Sequence, residues 1–136
     1  MDADIHVRWG WLKGMYLYTL FGAGGFGLAM LVLPRTVQSA FGYPPQDPVV
    51  FGLYASALLA SGLTAIPALR WPLKFLPLLL LQLVYKPVWL AVVAIPLFLK
   101  GQFPLYVVFI SAIFLTYIIG DLIAIPFRYL FSNVKR

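Results

Sequence analysis

Four long apolar stretches, separated by short polar segments, run along the 136-residue chain. They cover about residues 15–33, 49–69, 75–99 and 104–131. Each holds the roughly 20 residues that a helix needs to cross a hydrocarbon core about 30 Å thick. Backbone polar groups in lipid must find partners within the chain, so we expect helices rather than open strands. The pattern predicts an all-α integral membrane protein, a four-helix bundle that forms one membrane domain over residues 1–136.

The composition supports lipid as the solvent. Only 10% of the residues are charged and 62% are hydrophobic, whereas soluble domains carry about 25% charged residues. The absence of cysteine excludes disulfides, thiolate nucleophiles and cysteine metal sites. The single histidine, His6, cannot supply both ligands of a bis-histidine haem, and its place before the first stretch is typical of an interfacial residue. We therefore predict no metal site, no cofactor and no catalytic residue.

Lysine and arginine concentrate at one end of the predicted bundle. That end collects Arg8, Lys13, Arg70, Lys74, Arg128, Lys135 and Arg136, and the other end has Arg35 and Lys100. The positive-inside rule then places both termini in the cytoplasm, for a multi-pass protein of the inner (plasma) membrane of a bacterial cell. These basic residues sit at the ends of apolar stretches rather than in one patch, so we expect no nucleic-acid partner.

The segment FGAGGFG places Gly22, Gly24 and Gly27 at the spacing of a dinucleotide-binding turn, and Asp47 follows 20 residues after the last glycine. That fingerprint needs a strand, a tight turn and the N-terminus of a helix at the pyrophosphate. Here the glycines lie inside an apolar stretch, where a dinucleotide could not be solvated. The glycines therefore indicate helix packing instead of nucleotide binding.

Small residues four positions apart let two membrane helices approach closely. They predict that the first two spans pack together through Ala23, Gly25, Gly27 and Ala29 on one side and Gly52, Ser56 and Ala60 on the other. The connection 35–48 carries Val37, Ala40 and Phe41 at helical spacing. It is either a helix along the membrane surface or a plain polar turn.

Two ionisable side chains fall inside spans, Lys86 in the third and Asp121 in the fourth. A charge at such a depth costs about 2.5–3.5 kcal/mol on insertion scales, which makes each a candidate functional residue. At about 1.5 Å of rise per residue, Lys86 lies about 20 Å and Asp121 about 25 Å from the shared connection between their helices. The two side chains are therefore predicted to reach each other.

Gln82, Trp89 and Tyr117 are predicted to lie on the same faces as this pair, and Pro87 is expected to break the helix beside it. Three interpretations stay open. The pair staples two helices, or it forms a ligand or proton site beside a broken helix, or Asp121 faces Arg128 and no pair forms.

Four blocks carry a resemblance: GAGGFGLAMLVLP, FGLYASALLASGLTAI, LRWPLKFLPLLLLQLVYKPVWL and YIIGDLIAIPFRYLF. The layout resembles the DoxX-like four-helix bacterial membrane proteins, and the last two blocks look like those of uncharacterised bacterial membrane proteins. The resemblance implies a four-helix membrane fold. DoxX-like proteins are linked to quinone or redox partners, but no residue of this chain can be matched to such a role.

Three function classes follow. The first is a non-catalytic membrane protein, either an accessory subunit of a membrane complex or a binder of lipid or another hydrophobic ligand. The alternative is a small oligomeric transporter or channel subunit that uses Lys86 and Asp121. The second alternative is a membrane enzyme that acts on a lipid. The expected partners are membrane lipids, together with other membrane subunits or further copies of the chain.

Overall fold

The computed structural model describes residues 6–132, and within that range it consists of helices and connecting segments, without a strand. Four helices are long and apolar enough to cross a membrane, which confirms the all-α, four-helix prediction. Span 1 is Trp9–Val32, span 2 is Pro48–Arg70, span 3 is Leu76–Leu99 and span 4 is Leu105–Ala124. Two short helices, Pro34–Phe41 and Phe127–Leu130, follow spans 1 and 4. Lys135 and Arg136 lie outside the described residues.

Two helix ends differ from the sequence-based boundaries. Span 1 begins at Trp9 rather than near residue 15, so its first turns carry exposed tryptophans, which are typical of a membrane interface. Span 4 ends at Ala124 rather than near residue 131. The cause is Pro126, which disfavours helical geometry in the residue before it. Ile125 accordingly has an extended backbone, with φ −72° and ψ 121°.

Three segments meet at one end of the bundle: the beginning of span 1, the end of span 4 and the connection between spans 2 and 3. Arg8 Nη1 donates to the Ile123 carbonyl at 3.0 Å, and the Tyr16 hydroxyl donates to the Pro72 carbonyl at 2.6 Å. This basic end brings together Arg8, Arg70, Lys74 and Arg128, as the charge pattern predicts. That it faces the cytoplasm stays a prediction.

At the opposite end, residues 34–41 form a helix, which decides between the two interpretations of the connection. Val37 is buried, and the ring of Phe41 lies 5.5 Å from that of Phe26 and 4.5 Å from that of Phe109. Gly42 ends the helix in the left-handed conformation that glycine adopts without strain, at φ +69°. The helix is therefore held against spans 1 and 4 by aromatic contacts.

Much of the surface of the spans is apolar. Phe21 is 73% exposed, Leu53 71% and Leu99 83%. Water would disfavour contiguous apolar surface of this extent, whereas lipid chains match it. The exposed faces are thus the faces of a multi-pass membrane protein.

Spans 1 and 2 pack closely through glycine, as predicted. A Cβ atom built on Gly62 would overlap the Gly24 Cα atom, and a Cβ on Gly27 would lie 2.6 Å from Leu59 N and 2.7 Å from Ala55 O. No side chain fits at these points because the neighbouring atoms belong to the opposite backbone. The two helices can lie this close only because the three positions are glycine.

The packing faces are only partly the predicted ones. Ala23 and Gly27 are buried and Ala29 is half-buried, whereas a Cβ on Gly25 or Gly52 would meet nothing within 4 Å, and Ser56 and Ala60 are exposed. Residues two apart on a helix point about 200° apart, so Gly25 cannot share the face of Gly27. On span 2, the buried face instead carries Ala55, Leu58 and Gly62. The three predicted residues each lie one or two positions from a buried residue of span 2, and each position turns the helix by about 100°.

Two spans contain a wide π-helical segment, Thr19–Gly24 in span 1 and Leu90–Ala94 in span 3. The expected break at Pro87 does not occur, because the α-helix Leu76–Trp89 runs through it. The irregular turn lies instead just before Pro96, whose ring would clash with the carbonyl four residues earlier in a regular helix. Lys86 therefore projects from an intact helix.

We expect Gly27→Ala to lower the free energy of unfolding by about 1–3 kcal/mol, because the added methyl meets fixed backbone of span 2. The matched control is Gly25→Ala, where the methyl points into open space and alanine favours the helix by about 0.5–1 kcal/mol. Thermal unfolding of both variants in detergent measures the difference. Equal stability of the two variants would contradict the glycine contact.

Candidate functional site

Polar side chains from three spans meet inside the bundle. Gln82 and Lys86 on span 3 are each 2% exposed, and Thr19 on span 1 and Asp121 on span 4 have no exposed surface. Gln82 and Lys86 share one face because they lie four residues apart, the spacing at which helix side chains are neighbours. The cluster forms where span 4 packs against both span 1 and span 3.

The Lys86 ammonium lies in a setting of one amide oxygen and three aromatic rings. Its Nζ atom donates to Gln82 Oε1 at 3.1 Å. The same atom lies 3.5 Å from the ring centroid of Tyr117, 5.3 Å from that of Tyr85 and 5.6 Å from that of Phe114. Aromatic faces attract a cation, more strongly when water is excluded. The charge of Lys86 is thus stabilised by its own helix and by ring faces.

Asp121 lies in the same interior but does not bond to Lys86. The two groups are near enough for their charges to interact, yet neither carboxylate oxygen of Asp121 has a hydrogen-bond partner among the described residues. The ammonium lies instead over Tyr117, one turn before Asp121 on span 4. The predicted direct contact is therefore corrected: an offset of about one helical turn in depth places a ring, rather than the carboxylate, beside the lysine.

Gln82 connects span 3 to span 1. Its Oε1 atom accepts from Lys86, and the Thr19 hydroxyl lies 3.4 Å from Oε1 and 2.9 Å from the Met15 carbonyl. The Nε2 atom of Gln82 is buried without a partner in residues 6–132. Unpaired buried donors and acceptors are rare in folded proteins. The interior is therefore unusual in holding three buried polar atoms without a hydrogen-bond partner among the described residues, Gln82 Nε2 and both Asp121 carboxylate oxygens.

Tyr117 is held in place by span 1. Its hydroxyl donates to the Tyr18 carbonyl at 2.9 Å, and the rings of Tyr18 and Tyr117 stack at 4.0 Å. The Tyr18 hydroxyl is 2.7 Å from Thr116 Oγ1. Gly22 leaves room for this arrangement, because a Cβ there would overlap the Tyr117 hydroxyl. The ring that covers the lysine is thus rigidly positioned.

Two adjoining cavities lie beside the cluster. The lysine cavity has a volume of about 170 Å³ and is lined by Lys86 together with Tyr18, Tyr54, Tyr85 and Tyr117. The aromatic cavity has a volume of about 440 Å³ and includes Trp89, Tyr43 and Tyr106 in its wall. Tyr54, Tyr85, Ile110 and Phe114 line both. The cavities therefore share one wall.

All four spans line the lysine cavity, and the aromatic cavity extends toward a gap between spans 2 and 3. Span 2 packs on span 1, and span 3 packs on span 4, but spans 2 and 3 make few contacts with each other. Residues of both spans, such as Tyr54 and Trp89, line the aromatic cavity across this gap. The space is thus bounded by helices whose other faces meet lipid.

Two residues in the wall of the aromatic cavity, Trp89 and Tyr43, pack against neighbouring aromatic rings. Trp89, predicted as a ligand candidate, packs edge-on against Phe114 at 5.2 Å between ring centroids. Tyr43, in the connection before span 2, lies 4.6 Å from the ring of Tyr106. Burial raises the pKa of the Tyr43 hydroxyl, and the neighbouring Tyr106 raises it further. Tyr43 therefore stays a neutral donor at physiological pH.

Sequence reasoning missed several residues of this region, among them Thr19, Tyr18, Tyr54 and Tyr85. A signal was available for the tyrosines, because tyrosine in membrane proteins concentrates at the two interfaces, whereas Tyr54 and Tyr85 lie within the apolar stretches. Such tyrosines inside a span indicate a polar interior. Asp47, in contrast, caps span 2 by accepting from the Val49 N–H at 3.0 Å, which is incompatible with a nucleotide role.

Comparison with known proteins leaves the resemblance to DoxX-like proteins as a prediction. No protein-family model matches the sequence, and no match was found among curated proteins or solved structures. Within residues 6–132, no three histidine, cysteine, aspartate or glutamate residues are grouped closely enough to hold a metal ion. The geometry of the site is therefore the basis for a proposed function.

We expect Asp121→Asn to leave the unfolding temperature in detergent unchanged or to raise it, because the carboxylate has no hydrogen bond to lose and a buried unpaired charge is costly. Asp47→Asn is the control, since it also removes one carboxylate and asparagine caps helices equally well. A fall that corresponds to about 3–5 kcal/mol would instead indicate a broken buried ion pair with Lys86.

Proposed function

We propose that this protein is a non-catalytic multi-pass protein of the bacterial inner membrane that binds a hydrophobic ligand inside the bundle, between its four spans. The observation that carries the proposal is the pair of adjoining cavities with a shared aromatic wall. Apolar, aromatic walls with a few polar groups are typical of small-molecule sites. The aromatic cavity, at about 440 Å³, also falls within the usual range of about 300–1,000 Å³ for such sites.

Access from lipid supports a hydrophobic rather than a water-soluble ligand. Few contacts join spans 2 and 3, and the residues around the gap, such as Val50 and Val93, are exposed and apolar. A ligand that enters there passes from the lipid chains into a largely apolar cavity without crossing water. Its binding would depend on van der Waals contact with the aromatic wall and on the few polar groups within it.

The remaining exposed apolar faces suit membrane lipids, and they also suit other membrane subunits or a second copy of the chain. An accessory role in a larger complex is compatible with ligand binding, since the cavities and the outer faces of the spans are different surfaces. The distribution of lysine and arginine supports a cytoplasmic location for the basic end.

Ile110→Trp tests the site. Ile110 lines both cavities, so an indole there would fill space that the ligand needs. We expect this variant to lose most of the binding of a fluorescent hydrophobic probe and to purify with less bound lipid, measured by native mass spectrometry. Ile119→Trp is the matched control, because it makes the same change on the same helix at a position 58% exposed to lipid. Equal probe binding by the two variants would exclude the cavities as the site.

Asp121 favours a second candidate, a small oligomeric transporter subunit that moves a proton with its ligand. A buried carboxylate without a hydrogen-bond partner among the described residues can exchange a proton at low cost in lost contacts, and intramembrane carboxylates often serve in proton relays.

The test of this candidate is proton movement into vesicles that contain the protein, followed with a trapped pH-sensitive dye. We expect ligand-dependent acidification with wild-type protein and none with Asp121→Asn, while Asp47→Asn behaves as wild type. If Asp121→Asn acidifies the vesicles as fast as wild type, the transporter hypothesis fails.

A further inference from the structure

We propose that the ligand is a single-chain amphiphile with a carboxylate headgroup, which binds Lys86 in the lysine cavity while its chain lies in the aromatic cavity. This inference rests on the proposed function, because it names the chemical class of the ligand at the same site. The observation behind it is that one basic residue, Lys86, lies in the wall of the lysine cavity and that both cavities are otherwise uncharged.

The charge distribution of the cavities favours an anion. Of the described residues that line them, Lys86 is the only one with a formal charge at neutral pH. Asp121, its nearest candidate counter-charge, has no exposed surface and lines neither cavity. Lys86 thus contributes a buried positive charge to the wall of the lysine cavity, and the Asp121 carboxylate is enclosed between helices. An anionic headgroup in the lysine cavity would complement this arrangement, and a cationic one would be repelled.

The hydrogen-bonding capacity of Lys86 leads to the same ligand class. An ammonium carries three N–H donors, and Gln82 Oε1 accepts one of them at 3.1 Å. The rings of Tyr117, Tyr85 and Phe114 provide weak acceptor faces rather than oxygen atoms. A carboxylate offers two oxygens to the remaining donors. Charge-assisted hydrogen bonds of this kind are about twice as strong as neutral ones.

Tyrosine hydroxyl groups near Lys86 would also bind the headgroup of the ligand. Tyr54 and Tyr85 line both cavities, so each can present its hydroxyl donor at their shared wall. Tyr18 and Tyr117 use their hydroxyls within the protein, toward Thr116 and the Tyr18 carbonyl. The headgroup site would then consist of Lys86 with Tyr54 and Tyr85, and Gln82 would keep the ammonium in position.

The relative size of the two cavities matches a small polar head on one apolar chain. The lysine cavity, at about 170 Å³, is the smaller and contains the charge. The aromatic cavity, at about 440 Å³, is the larger, is lined by residues such as Trp89, Val93 and Leu97, and lies along the gap between spans 2 and 3. The chain of an amphiphile would extend from the ammonium along this wall toward the lipid.

The test compares dodecanoate with dodecanol, two probes with the same chain length and different headgroups. Titration calorimetry of the full chain in a non-ionic detergent, at neutral pH, measures both dissociation constants. We expect wild-type protein to bind dodecanoate at least about tenfold more tightly than dodecanol, which is the effect of one charge-assisted contact. Lys86→Met should remove this preference and retain dodecanol binding.

Two further variants keep the test decisive. Lys100→Met removes the same charge from the connection between spans 3 and 4, away from both cavities, and should keep the preference. Tyr85→Phe keeps the ring and removes one hydroxyl, so dodecanoate should bind about two- to tenfold more weakly and dodecanol about as before. This second variant gives a result even if Lys86→Met does not fold.

Equal affinity of wild-type protein for the two probes, with both lost in Ile110→Trp, would overturn the carboxylate inference and leave hydrophobic-ligand binding intact. If neither probe binds wild-type protein, both the carboxylate inference and the proposed site fail. A preference for dodecanoate that persists in Lys86→Met but disappears in Lys100→Met would also overturn the inference.

Discussion

The close backbone contact between spans 1 and 2 determines the shape of the bundle. Gly24, Gly27 and Gly62 allow these helices to approach until main-chain atoms touch, and membrane helices associate through such van der Waals packing. Span 1 also packs on span 4, and span 4 on span 3. Spans 2 and 3 make few contacts with each other, and residues of both line the cavities together with residues of spans 1 and 4.

The interior beside that gap is organised around a buried cation. Lys86 is stabilised by Gln82 and by the ring of Tyr117, which span 1 holds through the Tyr18 carbonyl. Stabilisation by ring faces leaves the ammonium able to bind an oxygen ligand, which a tight ion pair with Asp121 would prevent. The same arrangement leaves Asp121 buried and without a hydrogen bond in the described part of the chain. The two proposed roles, ligand binding by Lys86 and proton exchange by Asp121, would thus fall to different side chains.

Several features of the candidate site could be predicted from residue type and spacing alone. Charged and amide groups in apolar stretches identified Gln82, Lys86 and Asp121, because few such groups are tolerated there without a role. Sequence alone could not decide whether Lys86 contacts Asp121 directly. A count of helical rise locates a side chain to about one turn, and within one turn the lysine had both Tyr117 and Asp121 in reach. The helix runs on through Pro87, and the irregular turn of span 3 follows at Leu90–Ala94.

The amino-acid sequence alone was sufficient to predict four membrane helices, because hydrophobicity is a local property and lipid requires every backbone polar group to be paired within the helix. The small residues likewise predicted that spans 1 and 2 pack closely. The tertiary structure alone decided which faces meet. Gly25 and Gly27 are equivalent in sequence but point in different directions, and only Gly27 touches span 2. The cavities also arise only in three dimensions, because they depend on the spacing of all four spans, which no local pattern encodes.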